Sequence, residues 1–242
     1  MFHRKHSRAA LFGLLTSLCT MPVSLSQEPQ TVPLPKPVPA KAVEIVADKV
    51  AEKVADKKTK WIPLIESDSL KGWDLTNFGG EGAIEVSEGV TRFGNGDPLT
   101  GVTSGKKDFP KENFELRWKA MRVDGSDFFA GVTFPVGDEF CSFVAGGWGG
   151  GLVGLSNING NNASENETAS FRQFKNKQWY SFRVRVDKKN ITAWVDDEEV
   201  LRVEREKGKF SVHAAVMKSR PLGYCVFQSI VDLKEWEYQI LD

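Results

Sequence analysis

Residues 113–123, NFELRWKAMRV, and residues 179–205, WYSFRVRVDKKNITAWVDDEEVLRVER, decide how the chain folds. In the first, Phe114, Leu116, Trp118 and Ala120 alternate with Glu115, Arg117 and Lys119. A period of two puts the apolar set on one face of a pleated strand and the charged set on the other. In the second, Tyr180, Phe182, Val184 and Val186 share a face opposite Arg183 and Arg185. Turns at Lys188–Lys189 and Asp196–Asp197 make the stretch a three-strand meander. Further short strands are predicted at FFAGVTF (128–134), EFCSFVAG (139–146), LVGLS (152–156), FSVHAAV (210–216), GYCVFQSI (223–230) and EWEYQIL (235–241). Gly, Pro, Asn and Asp clusters separate them, and no long amphipathic helix intervenes. The expected class is therefore all-β, an antiparallel sandwich or barrel. One domain is expected over residues 61–242, where all seven tryptophans lie.

The residues before it read differently. Arg4, Lys5 and Arg8 precede an apolar run from Ala9 to about Val23, and Ser24 and Ser26 occupy the −3 and −1 positions of a cleavage before Gln27. That pattern predicts a signal peptide over residues 1–26 and an exported protein, periplasmic or extracellular. The run is short for a membrane span, so no transmembrane segment is expected in the mature chain. Residues 27–60 read as a linker. Pro33, Pro35, Pro37 and Pro39 favour an extended spacer, and Val43, Val46, Val50 and Val54 follow at the spacing of a weak amphipathic helix.

The 242 residues are 40% hydrophobic and 26% charged, which excludes collagen, a disulfide mini-protein and a wholly disordered chain. The net charge is zero, but unevenly built: residues 1–60 hold ten basic and five acidic residues, and residues 61–242 hold 22 and 27. An acidic domain of this kind argues against nucleic acid as a partner. Cys141 and Cys225 both fall in expected strands; a disulfide and two buried thiols are equally consistent with that.

Four stretches together resemble the 3-keto-disaccharide hydrolase family, particularly its planctomycete-type branch. They are SLKGWDL (69–75), FCSFVAGGWGGGLVGLSNINGNNASENET (140–168), WYSFRVRVDKKNITAWVDDEEV (179–200) and RPLGYCVFQSIVDLKEWEYQIL (220–241). The resemblance implies a concanavalin A-like β-sandwich (jelly roll) with a carbohydrate-sized groove, and a carbohydrate or keto-sugar ligand. It also implies a chemistry. A carbonyl at C3 acidifies the C2 proton, so a base removes that proton, the glycosidic oxygen leaves C1, and water adds to the enone. Such a site needs a general base and a donor or cation for the enolate.

For the catalytic roles the sequence offers His213, Asp127 and Glu139. His213 is the only histidine in the domain, and an imidazole can serve as a base or an acid. Asp127 and Glu139 bracket FFAGVTFPVG, so a common sheet end is expected for them. For substrate binding it offers Trp148, Asn159, Arg172, Lys218 and Arg220. Trp148 is surrounded by five glycines, and a Trp presented to solvent stacks on a sugar ring. Asn157, Asn159, Asn161, Asn162, Glu165, Asn166 and Glu167 concentrate oxygens, which reads either as a hard-cation site such as calcium or as a series of Asn-rich turns. The metal, if any, stays unknown at this point. Two functions follow: an exported enzyme acting on 3-keto-glycosides, or a non-catalytic carbohydrate- or surface-binding module.

Overall fold

The computed structural model describes residues 60–106 and 108–242. The expected signal peptide (1–26) lies outside these residues, as does the linker (27–60) apart from Lys60. Among the described residues the chain order is β1 (Ile62–Pro63), β2 (Trp73–Leu75), β3 (Ile84–Ser87), β4 (Val90–Phe93), β5 (Leu99–Ser104), β6 (Phe114–Gly125), β7 (Ala130–Val136) and β8 (Glu139–Gly146). There follow β9 (Leu152–Ser156), β10 (Ser170–Phe171), β11 (Trp179–Val186), β12 (Asn190–Val195), β13 (Glu198–Glu204), β14 (Gly223–Phe227) and β15 (Ser229–Ile240).

These strands form two antiparallel sheets. Sheet I runs β13-β12-β11-β6-β15-β4-β3, with β1 added along β15, and sheet II runs β10-β9-β8-β7-β14-β5-β2. β6 lies between β11 and β15, and β14 between β7 and β5, so the chain repeatedly passes from one sheet to the other. The fold is the concanavalin A-like antiparallel β-sandwich expected from the sequence. The meander β11-β12-β13 is present as read, with Tyr180, Phe182, Val184 and Val186 buried.

The core is aromatic and spans both sheets. The Trp118 ring stacks on Phe182 with centroids 5.4 Å apart, and meets Phe143 of sheet II edge-on at 5.9 Å. Burying rings of this size supplies much of the apolar area that opposes chain entropy. One charged position breaks the simple alternation: Glu115 is also buried. It faces away from the core, but Arg185 Nε donates to its Oε2 at 2.6 Å and Gln239 Nε2 to its Oε1 at 3.4 Å, and these side chains cover it.

Sheet II is covered on both faces. Every residue of β7 is buried, Ala130, Val132, Phe134 and Val136 by the core. The outer face carries residues 205–222, a strap between β13 and β14. Here the structure departs from the sequence, because FSVHAAV is not a strand. Phe210 makes a single bridge to Ile158, and His213 caps a run of 3₁₀ turns over Ala214–Ser219. Val212 and Val216, four residues apart, pack with Leu99 and Cys225. The backbone is paired at Ser211 with Asn157; beyond it the His213 cap starts the 3₁₀ turns, and Val216 within them reaches the same cluster as Val212.

Cys141 and Cys225 are free thiols. Cys141 belongs to the core between the sheets and Cys225 to the cluster outside sheet II, so a sheet separates them. Burial pushes both thiols up from 9.0 to about 12. A folded pKa above the unfolded one stabilises the fold fully below about pH 9, and that contribution is lost as pH rises towards 12. At pH 8 an alkylating reagent should leave Cys141 and Cys225 unmodified in the native chain and label both after denaturation, as peptide mass spectrometry would read. Trp118→Ala should lower the unfolding free energy by about 3–5 kcal/mol, measured by urea denaturation with far-UV circular dichroism.

Candidate active site

The strap and the Gly-rich loop after β8 meet over the outer face of sheet II and enclose a cavity of about 240 Å³. Leu99, Val144, Cys225 and Phe227 line it from the sheet, Phe128 from the approach to β7, and Ala215 and Val216 from the strap. A glycine makes room for the Phe128 ring. A Cβ on Gly131 would stand 2.9 Å from that ring and 2.7 Å from the Cys225 carbonyl oxygen. The two serines in the wall are already engaged: Ser142 Oγ lies 2.8 Å from Thr133 Oγ1, and Ser156 Oγ donates to Asn157 Oδ1 at 2.7 Å.

The polar groups stand at the rim. Asp127 lies between β6 and β7. Its Oδ1 accepts from the Phe128 N–H at 2.7 Å and its Oδ2 from the Gly149 N–H at 3.2 Å, so one carboxylate ties two loops together. Behind it, buried Arg122 donates to the Asp127 carbonyl oxygen at 3.1 Å, the Phe174 carbonyl oxygen at 3.1 Å and Asn176 Oδ1 at 2.6 Å. Burial draws the Arg122 guanidinium below its ordinary pKa, while the Asp127 charge opposes that shift.

Trp148 is held by this tether in an unusual backbone. Its φ of 48° and ψ of 55° are left-handed, a conformation that costs a non-glycine residue of order 1–3 kcal/mol. The residue is nevertheless 48% exposed, at the cavity mouth. Gly146 lets the loop turn there, since a Cβ on it would sit 2.7 Å from the Phe129 ring. His213 lines the same cavity from the strap. Its Nδ1 accepts from the Ala215 N–H at 3.2 Å, so the neutral ring carries its proton on Nε2 and presents a donor.

The cavity thus unites Asp127, Trp148 and His213, which are far apart in sequence. The other candidates are elsewhere. Glu139 and Asp127 do not share a sheet end: Val136 pairs with Glu139 at the turn of the β7-β8 hairpin, and Ala130 with Ala145 at the other end. Six strand steps separate those ends, about 20 Å at ~3.3 Å per residue. Glu139 Oε2 accepts from the Phe210 N–H at 2.8 Å, anchoring the strap. Asn159 does similar work, its Oδ1 accepting from the Lys209 N–H at 2.9 Å. Lys218 Nζ donates to the Asn77 carbonyl oxygen at 2.5 Å. Arg220 Nε donates to the Met217 carbonyl oxygen at 3.1 Å, with its guanidinium 5.7 Å from the Phe140 ring centroid. Arg172 is paired with Asp196 at 3.2 Å and Glu198 at 2.9 Å, beside a separate shallow depression.

The Asn-rich stretch is a series of turns. Asn162 Oδ1 accepts from the Ser164 N–H and hydroxyl, Asn166 Oδ1 from the Thr168 N–H and hydroxyl, and Asn166 Nδ2 donates to the carbonyl oxygens of Leu155, Asn161 and Asn162. Among the described residues no group of three or more His, Cys, Asp or Glu is placed to hold a metal ion. No helix among them is long and apolar enough to cross a membrane. The apolar lining, Phe128, Val144 and Phe227 above all, escaped the sequence reading because apolar residues in a sheet covered on both sides look alike on either face.

Residues 60–234 match the model of the 3-keto-alpha-glucoside-1,2-lyase-like domain. The chain belongs to that family. None of the curated protein sequences matches it. Among solved structures, the Crh5 transglycosylase without ligand superposes with a TM-score of 0.52 at 10% identity, covering 76% of this chain and 84% of that one. A prokaryotic β-1,3-1,4-glucanase (lichenase) from a mouse hindgut metagenome gives 0.48 at 11% identity, covering 72% and 95%. The carbohydrate-binding module CBM66 from Bacillus subtilis gives 0.47 at 14% identity, covering 73% and 99%. At such identities the likeness concerns the sandwich itself; the residues of the site in this lyase-like domain stand on their own geometry.

If the Asp127 carboxylate is the tether of the Trp148 loop, Asp127→Ala should speed amide hydrogen exchange at Gly149 by about tenfold, the equivalent of one lost hydrogen bond. Exchange in β6 and β11 should be unchanged, as nuclear magnetic resonance would report.

Proposed function

We propose that this chain is an exported, glycan-active protein that cleaves 3-keto-glycosides at the cavity bounded by Asp127, Trp148 and His213. The convergence of these three residues on one cavity carries the reading. The exposed Trp148 ring offers a stacking platform for the C–H face of the keto-sugar. Asp127 is the candidate base: it takes the C2 proton, the electron pair forms the C1–C2 double bond, and the C1–O bond breaks. The leaving oxygen takes up a proton, giving an enone and a free alcohol. Addition of water across the double bond then releases the 3-keto sugar. His213, with a proton on Nε2, suits the donor role, holding the C3 oxygen as charge develops on it or protonating the leaving oxygen.

One observation favours a second reading, a carbohydrate-binding module without turnover. Both Asp127 oxygens already accept backbone N–H groups, so the carboxylate serves to hold two loops together.

Incubating the full chain with a 3-keto-disaccharide, with and without added divalent cation, and measuring the released sugars separates the two. The enzyme reading expects turnover that falls at least ~10²-fold in Asp127→Asn and in His213→Gln, the usual scale for an acid or base. Turnover unchanged in both variants would remove these roles. Sugar binding with no turnover under either condition would leave the module.

A further inference from the structure

The lining of the cavity does not suit a second sugar. Leu99, Val144, Val216, Cys225 and Phe227 present carbon and sulfur, and the hydroxyls of Ser142 and Ser156 are bonded within the wall. A pyranose pushed into this space would bury several hydroxyl groups with no partner, which is strongly disfavoured. The cavity, at about 240 Å³, is also smaller than the ~300–1,000 Å³ of pockets that take whole drug-sized ligands. It is sized for part of a ligand. The Phe128 and Phe227 rings, 5.7 Å apart and tilted by 37°, make one aromatic wall, and the Cys225 sulfur adds a polarizable contact.

From this we infer that the cavity floor seats an aromatic leaving group, so that the preferred substrates are 3-keto-glucosides of aryl alcohols. The sugar stays at the rim against Trp148, Asp127 and His213, and the aryl group points inward between Phe128, Phe227 and Val144. The inference rests on the proposed function, because it names the leaving group for the same site. In the step written above, the alcohol released from C1 is then a phenol, and no further reactant is needed.

Binding of unreactive glucosides tests the floor apart from catalysis, since without the C3 carbonyl their C2 proton is not acidic. With the full chain, phenyl glucoside should bind at least ~10-fold more tightly than methyl glucoside of the same anomeric form, by titration calorimetry. The ratio should fall to near one in Val144→Asn and in Val216→Asn; the second variant lies on the strap and decides the matter if the first does not fold. Equal affinities in the wild-type chain, or a preference that survives both substitutions, would overturn the inference. Turnover of a 3-keto-disaccharide without any phenyl preference sinks the aryl seat and spares the proposed function. A phenyl preference without turnover of phenyl 3-keto-glucoside does the reverse.

Discussion

Sheet II has apolar residues on its outer as well as its inner face, and the strap of residues 205–222 covers the outer set. Leu99, Cys225, Phe128, Phe140 and Phe227 would otherwise meet water. Val212 and Val216 satisfy much of that area, and backbone pairs fix the strap at its start: the Ser211 and Asn157 amides exchange hydrogen bonds, at 3.1 and 2.5 Å. Towards its end, Thr103 Oγ1 donates to the Lys218 carbonyl oxygen at 3.0 Å and the Ser104 N–H to the Leu222 carbonyl oxygen at 2.8 Å. What the strap does not fill is the cavity. Burial of the sheet and formation of the site are therefore one event.

The rim shows how a flexible composition becomes a defined geometry. Five glycines surround Trp148, yet the loop is restrained by Asp127 on one side and, on the other, by the Arg172 N–H, which donates to the Gly151 carbonyl oxygen at 2.9 Å. Arg122 is worth burying here because all three of its bonds go to groups that shape the loops. Sheet I, by contrast, carries ion pairs and cation–ring contacts on its outer face. Arg117 bonds Glu237 and lies 4.0 Å from the Trp61 ring centroid, and Arg183 lies 4.0 Å from that of Trp194. Exposed pairs of this sort add little stability each.

How much of this was legible depended on the face involved. β6 and β11 were readable because each has one face in the core and one in water, so Phe114 to Ala120 and Tyr180 to Val186 keep a period of two. β7 was not readable in that way: with both faces covered, Ala130 to Val136 shows no alternation, and nothing local says which residues line a cavity. Phe210 to Val216 alternates acceptably and reads as a strand carrying His213; the chain instead turns at His213 into 3₁₀ turns over Ala214–Ser219, with Val212 and Val216 packed on the sheet. Glu139 and Asp127 look adjacent as the brackets of a hairpin, yet the antiparallel register sends them to opposite ends.

By itself, then, the order of residues determined the all-β class, the meander, the Gly-rich turn around Trp148 and the family to which the domain belongs. These are local properties, written in periodicity, turn chemistry and motif. The tertiary structure alone decided which polar candidates meet. Asp127, Trp148 and His213 share a cavity, whereas Glu139, Asn159, Lys218 and Arg220 hold the strap and its surroundings and Arg172 pairs beside the loop. The reason is physical: a site made by laying a strap on a sheet depends on contacts between segments far apart in the chain, and no local pattern encodes the distance between them.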